Sequence, residues 1–175
     1  MNLNWPIILL ATLVPTIIGM IWYNSKVFGN TWMKLNGFTE DQMKEGSMIK
    51  KVLISLFFSF LIALALHPIV IHQMGIFSTL MEETGFLNQA TGEINPASPA
   101  GVDFTMMMGK YGNAFRTFKH GVFHGIILGI MIALPILAIN GVYERKPVKL
   151  IMIHAGYWIV TLALMGGLIC QFKAA

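Results

Sequence analysis

Apolar residues in this chain come in long unbroken runs rather than in alternation. Leu3 to Tyr23, Val52 to Ile71, Gly121 to Tyr143 and Leu150 to Phe172 contain no Asp, Glu, Lys or Arg, and each reaches the ~20 residues a helix needs to cross a hydrocarbon core. The pattern predicts an all-α polytopic membrane protein: a single domain over 1–175 with four transmembrane helices at about 3–23, 52–74, 119–141 and 149–172. Pro6 falls in the opening turn of the first helix, where a missing N–H costs little, whereas Pro15 lies inside it and predicts a kink. The first run has no basic residue ahead of it and no small-residue cleavage site, so it reads as a retained span rather than a secretory signal.

Between the runs the periodicity changes. In the loop 24–51, Phe28, Trp32 and Leu35 recur at helical spacing and predict a short interfacial helix stopped by Gly37. Thr39 with Gln42 predicts a capping box for a second short helix ending near Gly46. The loop 75–118 contains "GFLNQATGEINPASPAGVD", rich in Gly, Pro, Asn and Ser, which predicts little regular structure. Phe104, Met107, Met108, Tyr111, Phe115 and Phe118 then predict an amphipathic helix over about 103–118 leading into the third span. The third span begins Gly121, Gly125, Gly129, a small-residue stripe that lets another backbone approach. Four helices must first bury their own faces, which favours a partner within the chain. The turn "YERKP" is short and makes helices three and four an antiparallel hairpin.

Composition agrees: hydrophobic residues make up 55% and charged residues 11%, far below the ~25% charged of soluble domains. Charge also sets an expected orientation. The first and third loops carry eight Lys and Arg, Lys26, Lys34, Lys44, Lys50, Lys51, Arg145, Lys146 and Lys149, against four on the other side, Lys110, Arg116, Lys119 and Lys173. By the positive-inside rule the loop 24–51 is cytoplasmic and both termini face outward. The net charge of +4 is then mostly a topology signal, and nucleic acid is not an expected partner. The lone Cys170 allows no internal disulfide and reads as a buried thiol.

Chemistry rests on five histidines. With the expected topology His67, His72, His120 and His124 gather near the outer face, while His154 sits near the opposite end, where Asn140 or Glu144 are its expected partners. His120 and His124 are one helical turn apart, about 6 Å along the axis, a spacing that allows two imidazoles to share a metal. His67 and His72 are five apart with Pro68 between them. Glu82, Glu83 or Asp103 could add a carboxylate. The alternative is that these histidines are ordinary interfacial hydrogen-bonding residues, since an HxxxH without an intervening Glu is no protease signature. Met106 to Met108 read as adaptable apolar contacts, with soft-metal binding as the alternative. No nucleophile elbow, phosphate loop, CxxC pair or mid-membrane carboxylate pair appears, so the enzyme reading lacks its parts.

Two stretches carry a resemblance. "GMIWYNSKVFGNTWMKLNGFTEDQ" and "ALPILAINGVYERKPVKLIMIHAGYWIVTLALMGGLI", through Gly19, Trp22, Tyr23, Phe28, Gly29 and Trp32 in the first and Asn140, Glu144, Arg145, Tyr157, Trp158 and Gly166 in the second, resemble the bacterial integral membrane family catalogued as domain of unknown function 1761. The resemblance implies a four-helix protein of the bacterial cytoplasmic (inner) membrane and carries no activity. The first functional expectation is therefore a non-enzymatic module, self-associating as a homo-oligomer or serving as accessory subunit of a membrane assembly. The alternatives are a small solute or proton transporter using outward-facing histidines, and a metal- or haem-binding membrane protein working through His120 and His124.

Overall fold

The computed structural model describes residues 3–172; Lys173, counted in the charge tally, lies outside them. Four helices in it are long and apolar enough to cross a membrane. In chain order the helices are α1 (Trp5–Trp22), α2 (Asn30–Asn36), α3 (Glu40–Lys44), α4 (Met48–Val70), α5 (Gln73–Leu80), α6 (Pro99–Tyr111), α7 (Phe118–Leu128), α8 (Leu134–Tyr143) and α9 (Val148–Gln171). The third span is α7 and α8 joined through a π-helical turn at Gly129–Ala133. Pro135 has no N–H to give, and the wide turn before it is closed by Leu134 N–H donating to Gly129 O.

Helix α9 is the hub and touches α1, α4, α7 and α8. The core is built from Ile8, Ala11 and Val14 of α1, Ala63, Leu66 and Val70 of α4, and Leu162, Met165, Ile169 and Cys170 of α9. The outer faces of α1, α4 and the third span expose large apolar side chains, among them Leu9, Leu13, Ile17, Phe57, Ile132 and Ile136, as lipid contact requires.

Against α9 the third span is held by glycine. A Cβ on Gly121 would lie 2.1 Å from Gly166 O, one on Gly125 2.2 Å from Leu162 O, and one on Gly129 2.7 Å from Ile159 Cα. The stripe thus fixes backbone-to-backbone contact inside one chain, dispersion at close range being the main attraction between helices in lipid.

The small elements follow their local signals. Gly37 ends α2 in the left-handed region at φ 72, and the Thr39 and Gln42 capping box opens α3. Before α2 lies a π turn, Ser25–Gly29, in which Gly29 N–H donates to Asn24 O. A Cβ on Gly29 would sit 2.3 Å from Tyr23 O.

Three features differ from expectation. The second span, expected over 52–74, runs from Met48 to Val70: Ser47 caps it by accepting from Lys50 N, and Lys50 and Lys51 are accommodated in its exposed first turns. Beyond Pro68 the backbone leaves the helix at Ile71 (φ −110, ψ 94), and α5 starts separately. The amphipathic helix expected over 103–118 lies at Pro99–Tyr111, with Ser98 as its cap and Pro99 at its first turn. It stops before Phe115, which is left-handed at φ 61, so Phe118 belongs to the span and not to α6. Finally, the loop between α5 and α6 is more organised than its composition suggests. Phe86, Ala100 and Phe104 bury a small second core with Phe77, Leu80 and Met108 packed on it.

Candidate metal centre

The bundle has two ends. One holds Leu3, the end of α4, the start of α7 and the end of α9; the other holds the end of α1, α2, α3 and the turn between α8 and α9. Three histidines meet at the first.

Helix α7 starts where Thr117 accepts from His120 N at 3.2 Å. This puts His120 in its first turn and His124 one turn on, on the same side. His72 comes from another element: the break after α4 leaves it just ahead of α5. The three Nε2 atoms converge, with His72 to His124 at 2.9 Å, His72 to His120 at 3.0 Å and His120 to His124 at 3.0 Å. His72 is exposed and the other two are half-buried.

This triangle has a chemical consequence. In a neutral imidazole a given nitrogen carries either a hydrogen or a lone pair, and a hydrogen bond needs one of each. Three atoms in mutual contact cannot be assigned so that every pair is a donor with an acceptor. At least one edge of the ring sets two N–H groups or two lone pairs against each other. A cation removes the conflict, because all three nitrogens then present lone pairs to it. An ion at the ~2.0–2.1 Å typical of Zn–N bonds would stand about 1 Å off the plane of the three, with its remaining position open.

The support around the triad is extensive. Gln73 Nε2 donates to Tyr111 O at 2.8 Å and Ala114 O at 2.9 Å, tying the start of α5 to the turn before α7. Arg116 donates from Nε to Cys170 O at 2.8 Å and from a terminal nitrogen to Phe172 O at 2.9 Å, and burial pulls its pKa below the ordinary value. The single S–H of the buried Cys170 thiol is shared between Val70 O and Phe115 O, both 3.3 Å from its sulfur, so the ends of α4 and α9 and the turn before α7 are joined. The strained Phe115 lays its ring against His72 and His120, with centroids 5.6 and 5.0 Å away.

Of the residues singled out from sequence, His72, His120 and His124 come together. His67 does not; it is buried in α4, on the helical side of the break. Among the described residues the cluster includes no carboxylate, so Glu82, Glu83 and Asp103 stand apart from it. Met108 packs on the second core, while Met106 and Met107 are exposed. Gln73, Phe115 and Arg116 were missed. The one sequence signal for them was Pro68, whose break turns His72 toward α7.

The other end gathers the resemblance-bearing residues. Trp22 Nε1 donates to Ile153 O at 3.0 Å, Tyr157 Oη donates to Pro15 O at 2.8 Å, and Tyr23 Oη shares a 2.8 Å hydrogen bond with His154 Nδ1. His154 therefore pairs with α1 and not with the expected Asn140 or Glu144: an α9 residue facing α1 points away from the α8 hairpin. Trp22 packs at a tilt against Phe28, and Tyr23 meets Trp32 edge-on and Tyr157 at a tilt. Gly19 lies beside the Tyr157 ring, Tyr157 contacts Trp158, and Gly166 meets Gly121. Asn140 O accepts from Glu144 N, and Arg145 takes φ 56 to close the last turn.

No curated protein and no solved structure matches the chain. One family does, described as "Protein of unknown function (DUF1761)", and the match runs over residues 6–170, nearly the whole chain. With four membrane-capable helices and a match of that extent, the chain belongs to the DUF1761 family.

Proposed function

We propose that this is a polytopic membrane protein that binds one divalent transition-metal ion of the zinc class through His72, His120 and His124. The observation that carries the reading is the ring of three Nε2 atoms 2.9 to 3.0 Å apart, which no assignment of protons satisfies and one cation does. Imidazole suits zinc, copper, nickel and iron, and the hard oxygen-seeking ions much less. Haem fits poorly, because axial histidines approach its iron from opposite faces, whereas these three nitrogens converge on one point. The charge bias supports an outward-facing site in a bacterial cytoplasmic membrane. Self-association through the glycine stripe is not the favoured role, since α9 fills that stripe.

The test is elemental analysis and zinc titration of the full chain purified in detergent. One ion per chain is expected, with His72→Ala, His120→Ala and His124→Ala each losing it and His67→Ala retaining it. A wild-type protein that binds no zinc, copper, nickel or cobalt at saturating concentration sinks the reading. Uptake of the same ion into proteoliposomes would make the ion cargo and bring the site under the transporter alternative.

A further inference from the structure

At the end opposite the histidines, a cavity of about 430 Å³ runs between α1, α4 and α9, within the ~300–1,000 Å³ of ligand-holding pockets. It reaches from Lys51 to Ile62 along α4, about 16 Å of helix. Its rim includes Ile54 and Phe58, which are 48% and 57% exposed on the outside of the bundle.

The lining is mostly apolar, but its polar groups are ordered. Ser55 and Ser59 stand one turn apart on α4, and Thr16 faces them from α1. The Thr16 hydroxyl oxygen is buried with no hydrogen-bond partner, a cost that a polar ligand atom would remove. Lys51 stands at the mouth. Its amine donates to Glu45 O at 2.7 Å, which leaves two of its three N–H groups for a ligand. Lys51 also lines a second cavity of about 460 Å³, walled by Trp32, Phe38, Gln42 and Glu45. One cation thus stands between a long apolar cleft and a second cavity of similar size, whose lining mixes Trp32, Phe38 and Met43 with Gln42 and Glu45. That is the layout of an acyl chain, a phosphate and a headgroup.

The geometry points to a lipid site: an anionic glycerophospholipid of the bilayer places one acyl chain in the cleft between α1 and α4, its phosphate on Lys51 and its headgroup beneath α2 and α3. Basic pockets between membrane helices hold anionic lipids in this way. Gln42 and Glu45 in the lining of the second cavity suit a hydroxyl-bearing headgroup such as glycerol, and the negative charge of Glu45 disfavours a second phosphate. The site is independent of the metal centre, which lies at the other end of the bundle.

Native mass spectrometry of the full chain, delipidated and then given phosphatidylglycerol or phosphatidylcholine in equal amounts, tests the assignment. One phosphatidylglycerol per chain is expected, preferred over phosphatidylcholine by about fivefold, roughly what one lysine supplies at an anionic surface. Lys51→Glu is expected to abolish the preference. Ser55→Leu, which fills the cleft from an exposed position, is expected to weaken both lipids while zinc binding is unchanged. Equal retention of the two lipids, an unchanged preference in Lys51→Glu, or stabilisation by inorganic phosphate as great as by phosphatidylglycerol would each overturn the proposal.

Discussion

Replacing Gly125 with alanine tests the glycine seam most directly. A Cβ there would lie 2.2 Å from Leu162 O and 2.5 Å from Ala163 Cα. Carbon contacts settle at ~3.5–4.0 Å, so α7 and α9 must part by about 1 Å. The atoms in the way are backbone, which cannot rotate aside as a long side chain can. The expected cost sits at the upper part of the ~1–3 kcal/mol range for overpacking, because parting the helices also loosens Gly121 against Gly166. At 2 kcal/mol the unfolding constant would rise about thirtyfold. Gly109→Ala is the matched control: it is a helical glycine with nothing within 4 Å of its added Cβ, and it should gain about 0.5–1 kcal/mol from helix propensity. Thermal unfolding of the detergent-solubilised chain at two protein concentrations reads both. If the stripe joined two copies, the Gly125→Ala loss would depend on concentration. Equal stability of Gly125→Ala and wild type at both concentrations would refute the argument.

Other substitutions follow from the same contacts. Tyr23→Phe removes the hydrogen bond to His154 and should lower stability by about 0.5–1.5 kcal/mol, with His154→Phe adding less in the double variant than alone; strict additivity in that cycle would show the pair to be uncoupled. Arg116→Gln gives up two charge-assisted bonds to the end of α9 and should cost about 1.5–3 kcal/mol, with Arg116→Lys recovering only part because an ammonium cannot reproduce the fork; full recovery by lysine would count against the geometry. Phe115→Gly relieves the left-handed φ 61 but strips the ring from His72 and His120, so zinc affinity should fall while thermal stability changes little. Chelation of wild type should lower the unfolding temperature, and chelation of His124→Ala should not, which a thermal scan with and without chelator checks.

The spans, the capping box at Thr39 and the stop at Gly37 were legible because each depends on residues adjacent in the chain. A run of apolar residues or a Thr spaced three from a Gln carries its own signal. The ends of α4 and α6 were misplaced where a cap competed with periodicity: Ser47 admits two lysines to a membrane helix, and Ser98 with Pro99 starts α6 four residues before the apolar pattern does. Of the site, the pair His120 and His124 was legible from helical spacing alone. His72 was named beside His67 as though one helix carried both, and the break after Pro68 separates them. Gln73, Arg116 and Phe115 act through distant backbone carbonyls or ring contacts, which no local pattern encodes.

Helix α7 explains why stability and the candidate site are inseparable here. Gly121 and Gly125 face α9, while His120 and His124, each one residue before a glycine, face His72 just ahead of α5. With ~100° between successive residues, adjacent Gly and His positions look toward two different neighbours, so one helix both seals the bundle and presents the two imidazoles. The depth to which α7 sinks onto α9 therefore sets where the two imidazoles stand. Metal–nitrogen distances tolerate only ~0.2 Å, much less than the 1 Å that a single methyl group in the seam would impose. The backbone contact that makes the third span sit close is thus also the element that holds two of the three histidines in register with the third.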